Sequence, residues 1–252
     1  MKMISEIDLE NSYSPVITRN ILVRLKRHSK ASDPYRLEKQ EGNAQILERY
    51  CEFKAMVTKA ENPFDTALRL AIAGNIIDFG PGNPFDIYRT IEKVLKSDFA
   101  IDHSQPLEAE IKRAGTILYL GDNCGELVLD KLFLETISHP NVWFAVRGQP
   151  VLNDATEKEA FEVGIHHLAK IISNGDDAPS TLLHRVSPEF RKIYHSADLI
   201  ISKGMGNYEG LMHEADPRLF FLMMVKCPSI GRKVGAAKGE FVVKHGLNVA
   251  GK

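Results

Sequence analysis

The sequence predicts an α/β protein in which a helical domain over residues 1–100 precedes a parallel, doubly wound sheet domain over residues 101–252. Three observations carry this. The first hundred residues show helical spacing and no convincing strand. The remainder alternates short apolar runs with helical segments, as strands buried on both faces require. No Asn-Gly or Asp-Gly hairpin joins two of those runs.

In the first part, Asp33-Pro34 offers an N-cap followed by proline at the first helical position. Ile46, Leu47, Tyr50, Phe53 and Val57 then recur at helical spacing. Asn62-Pro63 repeats the start signal before a helix carrying Ala67, Leu70, Ala71, Ile72, Ile76 and Ile77, which Gly80-Pro81-Gly82 should end. A further helix starts around Pro84 and runs through Ile87, Ile91, Val94 and Leu95. In the second part, the strands expected are 116–120, 142–146, a weaker 168–172, 199–201, 219–225 and a possible last one at 241–243. Helices are expected from Leu127 to Ile137, Ala155 to Val163, Leu182 to Tyr194 and Gly206 to His213.

Composition narrows the class. The chain has 252 residues and 28.2 kDa, with 44% apolar and 26% charged residues, which suffices for a core and excludes disorder throughout. Lys+Arg is 32 and Asp+Glu is 33, giving net charge −1 and a pI near 6.8, so no nucleic-acid partner is expected. The longest apolar run, Leu219 to Val225, falls far short of the ~18 residues of a membrane span, so no membrane partner is expected. The first residues are too polar for a secretory signal. Cys51, Cys124 and Cys227 form neither a disulfide framework nor a CxxC knuckle, and a reducing, cytoplasmic location is the expectation. Oligomeric state leaves no signature.

Ligands of open α/β sheets bind beyond the carboxyl ends of the strands. There the sequence places Gly121-Asp122-Asn123-Cys124-Gly125-Glu126, Arg147 to Asp154, Ser173 to Asp177, Ser202 to Asn207, and Lys226. A Gly-x-x-x-Gly frame invites a dinucleotide reading, but its centre is acidic and bulky, and Arg147 stands where an acid would take the ribose. An acid beside a phosphate implies an intervening cation. Asp122, Asn123 and Asp154 supply oxygen ligands that suit a hard dication such as Mg²⁺ or Mn²⁺. Arg147, Lys203 and Lys226 are candidates to neutralise an anion, with the backbone of Gly204, Met205, Gly206 and Asn207 donating N–H groups. Capping boxes are the competing use of Asn123 with Glu126, and of Asp154 with Glu157. Asp122, one residue before such a cap, gains nothing from it. Cys124 reads as small packing. Asn75 and Asp78, three apart on an apolar helix, share a face that could close over the site or simply meet solvent.

These segments, with Ala73-Gly74-Asn75-Ile76-Ile77-Asp78, Arg147-Gly148-Gln149-Pro150-Val151-Leu152-Asn153-Asp154-Ala155-Thr156 and Lys203-Gly204-Met205-Gly206-Asn207-Tyr208, occur in the order that resembles the metal-dependent damage-control phosphatase family. The likeness covers roughly residues 15–245 and is greatest to the small prokaryotic branch. It implies a helical domain on a Rossmann-like α/β domain, a divalent metal (Mg, Mn, Co or Ni), and hydrolysis of small phosphate esters, often damaged or side-product metabolites. The family's metal ligands fall on Asp122, Asn123 and Asp154. Its substrate segment falls on Met205, Gly206, Asn207, Tyr208 and Glu209, and its phosphate-binding lysine on Lys226. The sugar-phosphate branch carries Arg-Thr-x-Lys where this chain has Met223-Met224-Val225-Lys226, and the N-terminal cysteine pair of the prokaryotic branch is missing. The expected activity is a metal-dependent phosphomonoester hydrolase in which bound water or Asp122 itself attacks phosphorus. An S-adenosylmethionine-dependent carboxyl methyltransferase and a non-catalytic metal or metabolite binder are the rivals.

Overall fold

The structure, a computed structural model, describes residues 14–29, 31–74 and 87–247. Asn75 and Asp78, the Gly80-Pro81-Gly82 breaker and the expected start at Pro84 lie outside the described residues. Helices come first: α1 (Ser14–Ser29), α2 (Arg36–Leu47), α3 (Tyr50–Lys59), α4 (Pro63–Gly74) and α5 (Ile87–Lys96). Asn62 caps α4 as its sequence suggests, its Oδ1 accepting from the Asp65 N–H at 3.1 Å. The single helix expected through Val57 is instead two, because a turn at Glu48–Arg49 interrupts it. Ile46, Phe53 and Val57 all remain buried, so the apolar spacing runs through the break and does not register it.

The sheet follows: β1 (Phe99–Asp102), α6 (Ser104–Arg113), β2 (Ile117–Leu120), α7 (Glu126–Ile137), β3 (Val142–Val146), α8 (Glu157–Glu162), β4 (Lys170–Ser173), α9 (Pro188–Ser196), β5 (Leu199–Lys203), α10 (Gly204–Leu211), β6 (Leu219–Met224), α11 (Pro228–Val234) and β7 (Phe241–His245). The strand order is β1-β7-β6-β5-β2-β3-β4. From β6 to β4 every pairing is parallel. The all-parallel expectation fails at one edge, where β7 is antiparallel to β6 and β1 pairs with β7. The reason is local: Val225 N donates to Glu240 O at 2.9 Å and Gly239 N to Val225 O at 2.7 Å, so the chain folds back along β6. The short β1 has only Phe99 and Ile101 turned inward, and it exists by pairing with a strand distant in sequence.

Alternate residues of each strand enter two cores, as the period of two dictates. Ile117, Tyr119, Leu199 and Ile201 face α4 and α7, sharing a core with Ile46, Phe53, Leu68 and Phe133. Leu118, Leu120, Ile200 and Phe221 face the side of Phe190, Leu211 and Val234. The chain reverses its direction of travel across the sheet between β2 and β5, a topological switch point where α/β folds open a crevice. No helix among the described residues is long and apolar enough to cross a membrane.

Candidate metal and phosphate site

Asp122 and Asn123 leave the end of β2, and Asp154 lies in the segment after β3. Backbone hydrogen bonds clasp the two segments: Ala155 N to Asp122 O at 2.9 Å and Cys124 N to Asn153 O at 2.8 Å, with Asn123 and Asp154 paired in an isolated antiparallel bridge. Arg147 N donates to Ala155 O at 3.0 Å, closing the second loop on itself. Rigid backbone, more than side-chain packing, thus sets the relation of the two acids.

Their side chains converge on the buried Arg147. Its Nε donates to Asp154 Oδ2 at 2.6 Å and one Nη to Asp122 Oδ1 at 3.2 Å. The other Nη reaches Asn207 Oδ1 at 2.9 Å, and Thr181 Oγ1 donates to the same oxygen at 2.9 Å. Asn207 Nδ2 donates to Gly121 O and Lys203 O, so this amide is held on every side. Asn123 Nδ2 lies 3.3 Å from Asp122 Oδ2.

Neither expected capping box forms. The N-cap of α7 is Gly125, whose φ of 82° favours glycine, and its N–H donates to Asn43 Oδ1 of α2 at 2.6 Å. The N-cap of α8 is Thr156, whose partner is Glu159. Asn123 and Asp154 are therefore free of the task that competed with a ligand role.

The donor set fits a hard dication. It comprises two carboxylates and one amide, all oxygen donors, from two clasped turns. Among the described residues the two carboxylates face one guanidinium. Burial pushes the Asp154 carboxyl up to about 7 against the pull of Arg147, with Asp122 adding repulsion. Lys39 also acts against it electrostatically, and a bound cation would relieve the remaining penalty. Among the described residues no cluster of three or more His, Cys, Asp or Glu side chains could hold a metal, which leaves the amide of Asn123 to complete this set. Cys124 is buried in the core and burial holds its thiol well above its ordinary range, in keeping with packing.

A raised carboxyl pKa destabilises the fold as pH rises. The unfolded chain releases this proton near the ordinary carboxylate value and the folded one only near 7. Stability is therefore expected to fall across that window, and Asp154→Asn should flatten the fall. Urea midpoints of metal-free protein at several pH values measure this, and an equally steep fall in the variant would refute it.

The residues of α10, expected to act together on substrate, divide by face. Asn207 joins the Arg147 group. The N–H groups of Gly204, Met205 and Gly206 open the first helical turn, where backbone donors lack intrahelical acceptors. Tyr208 is a correction: a 100° step from Asn207 turns it into the core, its ring 4.9 Å from that of Phe221. Met205 and Glu209, four apart, line a separate cavity of about 380 Å³ with Met212, Cys227 and Lys233. Burial raises the Glu209 carboxyl there.

Lys203 is the second correction. It shares the parity of Leu199 and Ile201, so its fully buried ammonium enters the α4–α7 side, where it meets Glu126, Asp130 Oδ1 at 2.6 Å and Ala71 O at 2.9 Å. It neutralises carboxylates of the fold in place of a bound anion. Lys226 is exposed just past the end of β6.

Sequence reasoning missed Thr181, Asn43, Glu126 and Asp130. Thr181 comes from the irregular segment between β4 and α9, which carries no periodic signal. Glu126 was visible only as a capping partner. The helical part also reaches the strand ends through α1: Arg19 pairs with Asp177, and Lys26 donates to Pro150 O.

The comparisons with known proteins agree with this architecture. The family model of the damage-control phosphatase ARMT1-like domain matches residues 1–242. A damage-control phosphatase of Pyrococcus horikoshii is 35% identical over 248 residues, spanning 96% of this chain and 84% of the relative. Another of Archaeoglobus fulgidus is 28% identical over 252 residues, spanning 93% and 85%. The crystal structure of a DUF89 family protein from Pyrococcus horikoshii superposes with a TM-score of 0.87 at 34% identity, covering 97% of this chain and 86% of that one. The chain belongs to the damage-control phosphatase ARMT1-like domain family.

Proposed function

We propose that the protein is a phosphatase that hydrolyses small phosphomonoesters, damaged or side-product metabolites among them, with a divalent cation (Mg, Mn, Co or Ni) held by Asp122, Asn123 and Asp154. One observation carries the reading: at the switch point of the sheet, both acids meet on a single buried guanidinium beside the Asn123 amide, which no helix cap uses. When bound, the cation supplies polarisation of a phosphoryl oxygen and a more acidic bound water.

The chain's own groups do the rest. The clasped turns fix the acids, so little reorganisation is needed as charge develops. Arg147, oriented by Asn207 and Thr181, bridges the two carboxylates and keeps cationic potential at the cleft. In this reading the N–H groups opening α10 and the Lys226 ammonium receive the phosphoryl oxygens. Because Lys226 is exposed and makes no hydrogen bond or ion pair among the described residues, Lys226→Ala should leave the melting temperature unchanged. It should lower kcat/KM by about 10²–10³-fold, the loss for one preorganised charge-stabilising donor. Steady-state kinetics beside a thermal melt check both, and unchanged kinetics would remove Lys226 from the site.

The decisive assay uses metal-stripped protein on p-nitrophenyl phosphate with added Mg²⁺, Mn²⁺, Co²⁺ or Ni²⁺, followed by a panel of cellular phosphate esters. Phosphate release that depends on the added metal supports the reading. Tight S-adenosylmethionine binding with no phosphate release would transfer it to methyl transfer, and metal uptake without turnover to a binding role.

A further inference from the structure

Behind the acid pair lies a second buried group of charges. Glu126, Asp130 and Lys203 are all fully or almost fully buried. Lys203 ends β5 and Glu126 starts α7, so their contact ties the turn carrying Asp122 and Asn123 to the turn that opens α10. Asp130, one helical turn on from Glu126, accepts from Lys203 and, at 2.7 Å, from the Tyr119 hydroxyl of β2. From α4, the Ala71 carbonyl also accepts from Lys203. Gly74 allows that helix to close on Glu126, since a Cβ there would lie 2.7 Å from the Glu126 Cα.

Burying charges this deeply is costly, and apolar residues of similar volume often replace them without loss of stability. Two carboxylates to one ammonium, among the described residues, is a poor choice for stability alone. Both acids also sense the Asp122 carboxylate electrostatically. The ammonium itself is held above the ordinary lysine range, because Asp130 and Glu126 outweigh its own burial, so it stays charged.

We propose that Glu126, with Lys203 and Asp130, is a positioning and charge-setting support for the dication site. Lys203 locks the two turns together, and the Glu126 carboxylate adds negative potential behind Asp122 that strengthens the hold on a cation. The inference rests on the metal reading given above and assigns no contact with substrate to any of the three.

Glu126→Gln tests it, because the amide keeps the shape and an acceptor for Lys203. At pH 8, above the value of about 7 to which burial pushes Glu126, Mn²⁺ titrated calorimetrically into metal-stripped full-length protein should bind about 10–100-fold more weakly than to wild type, the usual cost of a lost outer-shell partner. The loss should be larger for Tb³⁺, since a Coulombic contribution scales with ion charge. Equal losses for the two ions would overturn the charge-setting role. Mn²⁺ affinity within twofold of wild type would overturn the inference while leaving the metal reading intact. A wild type that binds no Mn²⁺ overturns both. Should the variant fail to fold, Asp130→Asn carries the test, with weaker Mn²⁺ binding expected and unchanged affinity overturning the proposal.

Discussion

Asp122→Ala is expected to reduce metal-dependent phosphate release by at least the ~10²–10³-fold that loss of one preorganised charge-stabilising group costs. Asp122 has two roles in the proposed site. Among the described residues it is one of the two carboxylates the proposed site offers to the cation, and its backbone carbonyl is half of the clasp to Ala155. Alanine removes the first role and keeps the second, so Asp154 and Asn123 stay where they are. Stability should change little and could rise, because Asp122 repels Asp154 and helps raise its pKa. The signature is therefore lost turnover and lost Mn²⁺ affinity with an unchanged or higher urea midpoint. A variant that turns over like wild type would remove these acids from the chemistry.

Lys203→Met is expected to have the largest effect on stability, about 3–5 kcal/mol, the cost of removing one partner from a buried ion pair. Glu126 and Asp130 would then lack the ammonium that meets both of them. Burial already pushes Glu126 up to about 7 and raises Asp130 with Lys203 present. Without it, both would bind protons more strongly, so the loss should be greatest at alkaline pH and smaller near pH 5. The triple variant Lys203→Met, Glu126→Gln, Asp130→Asn should recover much of the stability, because the unpaired charges go too. Urea denaturation of the single and triple variants at two pH values measures this. A single variant as stable as wild type would show that the cluster bears no such load.

Much of the fold follows from local patterning. Runs such as Val142–Val146 and Leu219–Met224 are apolar at every step, which only a strand covered on both faces explains, and the crossover helices between them enforce parallel pairing. The last strand was expected at 241–243 and is found as β7, but its antiparallel direction escaped, as did the whole of the short β1. The short β1 is a strand by virtue of its pairing with β7, and the fold-back at Val225 and Glu240 that reverses β7 is a backbone event without a sequence signal.

The acid pair was legible for a related reason. Asp122, Asn123, Arg147 and Asp154 are polar residues placed directly after buried strands, and the topology of a parallel sheet delivers such residues to one edge. Orientation was not legible. Lys203 and Asn207 lie one helical turn apart in the same motif, yet one ammonium enters the core while the amide meets Arg147. Tyr208, next to Asn207, packs on Phe221. By itself the sequence determined which chemistry the chain brings to the strand ends. Which of those groups face the cleft was decided only by tertiary structure, because the facing depends on what each element packs against: α4 and α7 on one side of the sheet, and Arg147 in the crevice above its edge.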